Sequence, residues 1–193
     1  MTFARIISTL FVPPSFTILL FTLFAFELET DPVKIFAVIL TALTFGFGLL
    51  IIMFFYFRKK GKIADQDASV KEERTKPFLY AVVSYLAGLI LLILFEANII
   101  IIAFWFCYIS NTLLVVLINR YWKISAHSMG ASGALGALFF IYNLKALLIL
   151  PLILLIAWAR LYLKLHTPLQ VAAGLVLGFT STYLQIYLIV NTF

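Results

Sequence analysis

The sequence predicts an all-α integral membrane protein, a bundle of about seven transmembrane helices. Of its 193 residues, 64% are apolar and only 11% are charged, so the chain has too little polar surface to cover a soluble globule. The apolar residues form long continuous runs, which favours helices over a barrel because barrel strands alternate in polarity. A helix needs roughly 20 such residues to cross the hydrocarbon core, and the runs have that length.

Seven apolar runs can be placed in order. The first contains Pro13 and Pro14, which predict a kink in that span or mark its true start. We interpret it as a retained span and not a signal peptide, because no small-residue cleavage site precedes the acidic turn ELETDP. The first four runs lie near 6–26, 34–57, 77–95 and 99–118. The fifth opens with SMGASGALGALFF. The sixth follows a turn at Asn143 and Lys145, contains Pro151 and ends near 164, and the seventh lies near 169–190.

Three polar loops follow the second, fourth and sixth runs. An even number of crossings separates each loop from the next, so all three emerge on one face and can form a composite site. We expect a single domain, with two N-terminal transmembrane helices in residues 1–57, a polar cytoplasmic loop in 58–76 and a five-helix core in 77–193.

The distribution of charge predicts the orientation of the chain. Of the 14 Lys and Arg residues, all but Lys34 and Lys145 lie on the face of the polar loops. The positive-inside rule therefore places this face and the N-terminus in the cytoplasm. We expect the membrane to be the cell inner membrane. The net charge of +6 follows from this topology, and nucleic-acid binding has little support. The single cysteine, Cys107, excludes an intramolecular disulfide and a thiolate metal site.

The third loop carries the residues best suited to chemistry. His166 and Gln170 are four residues apart, so they share a face if the last helix begins near Thr167. The Gln170 carbonyl could then accept a hydrogen bond from one imidazole nitrogen and leave the other free to attack. Arg160, at the end of the sixth helix, offers a planar fork of donors suited to phosphate oxygens.

The other two loops add complementary groups. Ser125 can cap the fifth helix, whose N-terminus would present N–H groups to an anion, and His127 could protonate a leaving oxygen. Lys71 and Arg74 in the first loop are candidate phosphate clamps. A nucleophile, an acid and several cations are what displacement at phosphorus requires.

These residues resemble the three-part signature of the type-2 phosphatidic acid phosphatase family, K-x6-R-P, P-S-G-H and S-R-x5-H-x3-D. Arg160 and His166 reproduce the spacing of the third part, with Ala159 at the serine and Gln170 at the aspartate. The second part looks like ISAH, which ends at His127 and lacks the proline and glycine. The first part is KEERTKP, which offers Lys71, Arg74 and Pro77 without the six-residue gap.

The resemblance implies a membrane-embedded helical enzyme that removes phosphate from a lipid phosphate or prenyl diphosphate, with no metal and no cofactor. His166 would form a phosphohistidine and His127 would protonate the lipid leaving group. The phosphate would be held by Lys71, Arg74, Ser125 and Arg160. Membrane lipids are the expected surroundings, and a membrane-protein partner or a homo-oligomer stays open.

The glutamine at position 170 leaves three outcomes open, since a neutral amide can orient an imidazole but hardly stabilises its charged form. The chain could be a slow enzyme. It could also lack phosphatase activity and serve as a structural or lipid-binding subunit of a membrane complex. Alternatively, a carboxylate could stand in, from Asp65, Asp67, Glu72 or Glu73. The two histidines could also ligate a haem between helices.

Two further patterns concern packing. Gly130, Gly133 and Gly136 recur every third residue among alanines and serines, which predicts a close helix-packing face and not a phosphate cradle. Asn111 and Asn119 are expected to form hydrogen bonds between helices.

Overall fold

The structure is a computed structural model that describes residues 2–68 and 70–193. Within these residues the regular elements are all helical, as expected for the predicted fold class. A π-helical segment, Ala42–Gly48, joins α3 to α4, and a 3-10 segment, Asn143–Ile149, precedes α8. The α-helices are α1 (Phe3–Leu10), α2 (Pro13–Leu28), α3 (Pro32–Thr41), α4 (Leu49–Lys59), α5 (Lys71–Leu94), α6 (Ile99–Tyr121), α7 (Ala126–Tyr142), α8 (Leu150–Tyr162) and α9 (Pro168–Thr192).

Five helical stretches in the described residues are long and apolar enough to cross a membrane. They are Pro32–Lys59, Lys71–Leu94, Ile99–Tyr121, Ala126–Tyr162 and Pro168–Thr192. The pair α1 and α2 meets the same criteria together, with a bend of 56° at a short break. Pro13 is the first residue of α2, so the predicted break lies where the prolines indicate.

The stretch Ala126–Tyr162 folds back on itself. His127 at its start and Arg160 near its end both contact Ser8, and α7 packs against α8. The reversal lies at Asn143, which has a positive φ of 50°; positive φ is more frequent in asparagine than in most other residues with a side chain. With the two arms counted separately and α1 and α2 as one bent span, the described residues form the predicted seven helices.

The first polar loop is shorter than expected. We expected the third helix to begin near Pro77, but α5 begins at Lys71 and contains Pro77. Glu72 and Glu73 lie in its first turn, where the helix dipole favours negative charge. The prediction that Lys71 and Arg74 lie in a loop was therefore wrong, and both belong to a helix.

An aromatic cluster forms the core between α2, α5 and α6. Trp105 is fully buried, and its indole N–H donates to the Tyr85 carbonyl at 2.7 Å. Phe21 packs against this indole with a ring-centroid separation of 4.9 Å and stacks on Phe104 at 5.0 Å. These contacts hold α2 against the later helices and so keep the N-terminal part of the chain close to the rest.

The small residues of α7 form the predicted packing face. A Cβ atom on Gly136 would lie 2.8 Å from the Phe179 carbonyl oxygen of α9, and one on Gly133 would lie 3.0 Å from Thr182 Oγ1. Gly130 faces Pro13 of α2 instead. Helix α9 contributes small residues of its own, since a Cβ on Gly174 would lie 2.8 Å from the Ser125 carbonyl. This close approach brings the start of α9 to the start of α7.

The two asparagines of α6 behave differently. Asn111 bonds across to α9, donating to Thr182 Oγ1 at 2.9 Å and accepting from Ser181 Oγ at 2.6 Å, as predicted. Asn119 was expected to do the same, but its Oδ1 accepts from the Ile124 N–H at 3.2 Å. The prediction for Asn119 was wrong because the chain turns directly after α6, where a short polar side chain satisfies a local N–H.

Replacing Gly178 by alanine should destabilise the bundle. A Cβ there would collide with the Met129 carbonyl oxygen and with Ser132 Oγ, which forces α7 and α9 apart at a typical cost of about 1–3 kcal/mol. Thermal unfolding in detergent should show a lower midpoint for Gly178→Ala. Val176→Ala is the control, because Val176 is 64% exposed on the same helix; an equal shift in both variants would contradict this packing account.

Candidate active site

A capping box at the start of α9 positions His166. Thr167 Oγ1 accepts from the Gln170 N–H at 3.4 Å, and Gln170 Oε1 accepts from the Thr167 N–H at 3.1 Å. His166 directly precedes the cap, and its Nδ1 lies 3.2 Å from the same Gln170 oxygen. Because an amide oxygen only accepts, Nδ1 carries the proton and Nε2 keeps its lone pair. The contact that the four-residue spacing predicted is present.

The imidazole of His166 is buried and surrounded by positive charge. Burial, and after it the charges of the nearby cations Arg74, Arg160 and Lys123, lower the pKa of His166 to about 3. The hydrogen bond with Gln170 works against these effects but does not outweigh them. His166 is therefore neutral across the physiological range, which is the form with a free lone pair.

His127 lies in the first turn of α7. Ser125 caps this helix as predicted, accepting from the Ser128 N–H at 3.3 Å and from Ser128 Oγ at 2.9 Å. The Nε2 atom of His127 lies 3.2 Å from the Ser8 carbonyl oxygen. Since a carbonyl accepts, Nε2 carries a proton here, and Nδ1 is the atom left to exchange one with a substrate.

Arg160 is fully buried and bound by groups that precede α5 in the chain. Its Nη1 donates to Asp67 Oδ1 at 2.7 Å and to Ser8 Oγ. Asp67 is also paired with Arg5, so one carboxylate bridges two guanidinium groups. The Nε and Nη2 atoms of Arg160 are buried and have no partner within the described part of the chain.

The charge of Asp67 is stabilised by these two arginines. Burial by itself raises the pKa of Asp67, but the hydrogen bonds and charges of Arg160 and then Arg5 outweigh it and hold that pKa below its ordinary value. Asp67 was one of four carboxylates expected as a possible stand-in behind His166. The structure places it on Arg160 instead.

The remaining predicted cations divide into two groups. Arg74 is buried and donates to the carbonyls of Ala68 at 2.6 Å and Ile124 at 3.3 Å, so it joins the loops around the histidines. Lys71 instead donates to the Arg120 carbonyl at 3.3 Å and lies 3.7 Å from Glu72. The structure thus brings Arg74 to the cluster and points Lys71 to its edge.

Lys123 is a cation of the cluster that the motif comparison missed. Its Nζ donates to the Leu165 carbonyl at 2.8 Å, directly before His166. Burial lowers the pKa of Lys123, and the charges of Arg74 and Arg160 add to that effect. Its position in the second polar loop, four residues before His127, was the available signal.

One cavity of about 440 Å³ connects these groups. His127, His166, Arg74, Asp67 and Ser8 lie on its wall. Most of the remaining wall is apolar, with side chains from several helices that include Leu50, Phe54, Phe55, Phe104, Val115 and Met129. His166 also borders a groove of about 540 Å³ lined by Lys123, Lys164, Thr167 and Gln170. The cavity therefore joins a charged end to an apolar interior.

The sequence interpretation missed Arg5 and Ser8 as members of this cluster. Ser8 lies in an apolar run and Arg5 in the charged start of the chain, and neither matches a motif. They reach the cluster because α1 packs against α8. The division into two N-terminal helices, a polar loop and a five-helix core stays a prediction. The side chains bound to Arg160 of the core belong to the other two parts, Ser8 to the first and Asp67 to the loop.

Comparison with known families gives a match in the C-terminal part of the chain. Residues 117–193 match the family model of the PAP2 superfamily, a segment that holds Ser125, His127, Arg160, His166 and Gln170. The resemblance predicted from the motifs is thereby confirmed, and it supports a phosphatase-like function on a phosphate ester. No curated protein and no solved structure matches the chain significantly.

The pKa of His166 can be tested by NMR on protein labelled at histidine. Between about pH 3 and pH 6.5 an unfolded chain binds a proton at this residue and the folded protein does not, so acidification through that window also lowers folding stability. We expect the His166 resonance, assigned by its loss in His166→Asn, to stay at its neutral position from pH 8 to about pH 5. A midpoint near pH 6.5 would show that the ring is solvated and not buried among cations.

Proposed function

We propose that this protein is a membrane-embedded phosphatase for a lipid phosphate or a prenyl diphosphate, and that it acts through a phosphohistidine. The observation that supports this most is the pair of imidazoles on one cavity. Each has one nitrogen bonded to an oxygen acceptor, Gln170 Oε1 for His166 and the Ser8 carbonyl for His127. The cations Arg74, Lys123 and Arg160 are close enough to influence the His166 ring.

In the proposed first step, His166 Nε2 attacks phosphorus and the bond from phosphorus to the lipid oxygen breaks. For this step His127 is the imidazolium, a form that the negative charge of the bound phosphate favours. It gives its Nδ1 proton to that oxygen and keeps the proton on Nε2, and the lipid leaves as an alcohol from a monoester or as a prenyl phosphate from a diphosphate. In the second step a water molecule attacks the phosphohistidine while His127 takes a proton from it. Inorganic phosphate leaves, and both imidazoles return to their starting forms.

The phosphate oxygens would be held mainly by Arg74 and Arg160, with Lys123 adding positive charge. Arg160 has two buried nitrogens with donors to offer, and a guanidinium edge fits two phosphate oxygens. Lys71 and Ser125, which the resemblance implies as phosphate ligands, have other partners in the structure. Their roles as ligands would require rearrangement of those contacts.

The substrate's apolar part would occupy the cavity beyond the histidines. Its wall is mostly apolar, and its volume of about 440 Å³ falls within the range of small-molecule pockets, about 300–1,000 Å³. The groove on the other side of His166 offers a path for water and for departing phosphate. The chain would lie in the cell inner membrane with its polar loops cytoplasmic, by the positive-inside rule.

A second candidate function is that of a catalytically silent relative, acting as a structural or lipid-binding subunit. Two observations favour it. Gln170 replaces the aspartate of the family signature, and Asp67 already accepts a hydrogen bond from Arg160. A silent protein would keep the fold and the cavity without turnover, so activity measurements separate the two candidates.

Replacing His166 should abolish turnover if the proposal is right. Phosphate release from a prenyl diphosphate and from phosphatidate, measured with purified protein in detergent, should fall by about 10³-fold or more in His166→Ala, since it removes the nucleophile. Lys145→Gln is the control, because this exposed lysine lies at the other end of the bundle. Equal background release by wild type and His166→Ala would rule out the enzyme.

Replacing Gln170 by aspartate should raise the activity. In serine proteases, an amide in place of the carboxylate behind a catalytic imidazole lowers kcat by up to about 10⁴. We expect the reverse change to raise kcat by about tenfold or more, because a carboxylate stabilises the charged ring. Gln170→Asn has the same length without the charge and should not gain activity. A loss in both variants would mean that the capping box matters more than charge.

A further inference from the structure

We propose, on the basis of the function proposed above, that the Asp67 carboxylate occupies the place of the substrate's phosphate on Arg160, and that an incoming phosphate displaces it and then also binds Arg5. Asp67 would be an internal competitor of the substrate. Arg5 would be a phosphate ligand contributed by the first helix, outside the three motif loops.

The position of Asp67 between the cavity and Arg160 supports the first part. The side chain of Arg160 is 0% exposed and that of Asp67 is 7% exposed. Asp67 and Ser8, the two groups bound to Arg160, both lie on the cavity wall with the two histidines. A phosphate that enters the cavity therefore meets the carboxylate before it meets the guanidinium.

The guanidinium of Arg160 is incompletely bound in this arrangement. Nη1 alone carries the bonds to Asp67 and Ser8, while Nε and Nη2 are buried without a partner among the described residues. Buried donors without acceptors are costly and uncommon. A phosphate has more acceptor oxygens than a carboxylate and can bridge two guanidinium nitrogens, so it would satisfy donors that Asp67 leaves unpaired.

The bridging geometry of the carboxylate supports the second part. One oxygen of Asp67 pairs with Arg160 and the other with Arg5, so an anion that takes its place lies between both guanidinium groups. Two arginines suit the double charge of a phosphate monoester better than the single charge of a carboxylate. Helix α1 packs against α8, which keeps Arg5 at this position when the loop moves.

Asp67 belongs to no helix, so its displacement would leave the helices intact. It lies between the end of α4 at Lys59 and the start of α5 at Lys71. Ala68, the next residue, has a φ of 45°, which an alanine adopts only at a cost. Its carbonyl accepts from Arg74 Nε, so a phosphate bound by Arg74 would compete for that contact as well.

The test measures binding of inorganic phosphate by the full-length protein in detergent, which does not depend on turnover. Calorimetry at matched ionic strength should show about tenfold tighter binding for Asp67→Asn than for wild type, because removing a competing state raises the apparent affinity. Glu72→Gln removes the same charge from an exposed side chain in the first turn of α5 and should bind as wild type does. Equal or weaker binding by Asp67→Asn would overturn the competition.

The role of Arg5 is tested in the same background. Adding Arg5→Gln to Asp67→Asn should reverse most of the gain, because the phosphate loses a ligand. If the double variant binds phosphate as tightly as Asp67→Asn, Arg5 only holds the carboxylate. Failure of the proposed phosphatase function would appear separately, as an absence of lipid turnover in variants that still bind phosphate.

A second measurement keeps Asp67 in place, in case Asp67→Asn does not fold. Ile63 lies in the same segment and is 2% exposed, so a thiol introduced by Ile63→Cys should be protected from maleimide. The chain's own cysteine, Cys107, is buried and gives the background rate in wild type. Saturating phosphate should accelerate labelling several-fold; an unchanged rate would mean that phosphate binds without displacing the loop.

Discussion

The burial of the Arg160 guanidinium is the constraint on which the polar side of this structure depends. A charge withdrawn from water inside an apolar bundle must be compensated by an opposite charge or by hydrogen-bond acceptors. The compensation comes from Asp67 and Ser8, which belong to a loop and to the first helix. The Asp67 carboxylate, paired with both Arg5 of α1 and Arg160, thereby links the first helix to the segment of α8 that carries the family motif.

Close packing of helices supplies the second condition for the site. The glycines of α7 and α9 allow backbone atoms of the two helices to approach each other, which brings the N-termini of both to one place. His127 begins one helix and His166 precedes the other. With side chains in place of Gly174 or Gly178, the helices would separate and so would the imidazoles.

The side chain of Gln170 makes two contacts through one oxygen atom. Its side-chain oxygen caps the start of α9 through the Thr167 N–H and also accepts from His166 Nδ1. The ring is thus held in one tautomer by the same group that stabilises the helix terminus. Orientation is retained without the negative charge of an aspartate, while burial among cations keeps His166 neutral and its Nε2 lone pair available.

Much of the architecture followed from the sequence alone. Runs of apolar residues determine helices that must cross the hydrocarbon core, because no other structure except a closed barrel satisfies the backbone there. Counting the runs placed the three polar loops on one face, and local spacing placed Gln170 beside His166 and Ser125 at the cap of α7. The residues of the third motif were found for the same reason, since their spacing along the chain is short.

Contacts between residues distant in sequence were decided by the tertiary structure. The choice of Asp67 among several nearby carboxylates, and its binding to Arg160 and not to His166, depend on how α1 packs against α8, which no local pattern encodes. Lys71 and Arg74 are one helical turn apart, yet Arg74 is buried and donates to the Ile124 carbonyl while Lys71 donates to the Arg120 carbonyl. Sequence determined which groups exist and which face carries them; packing decided which of them meet.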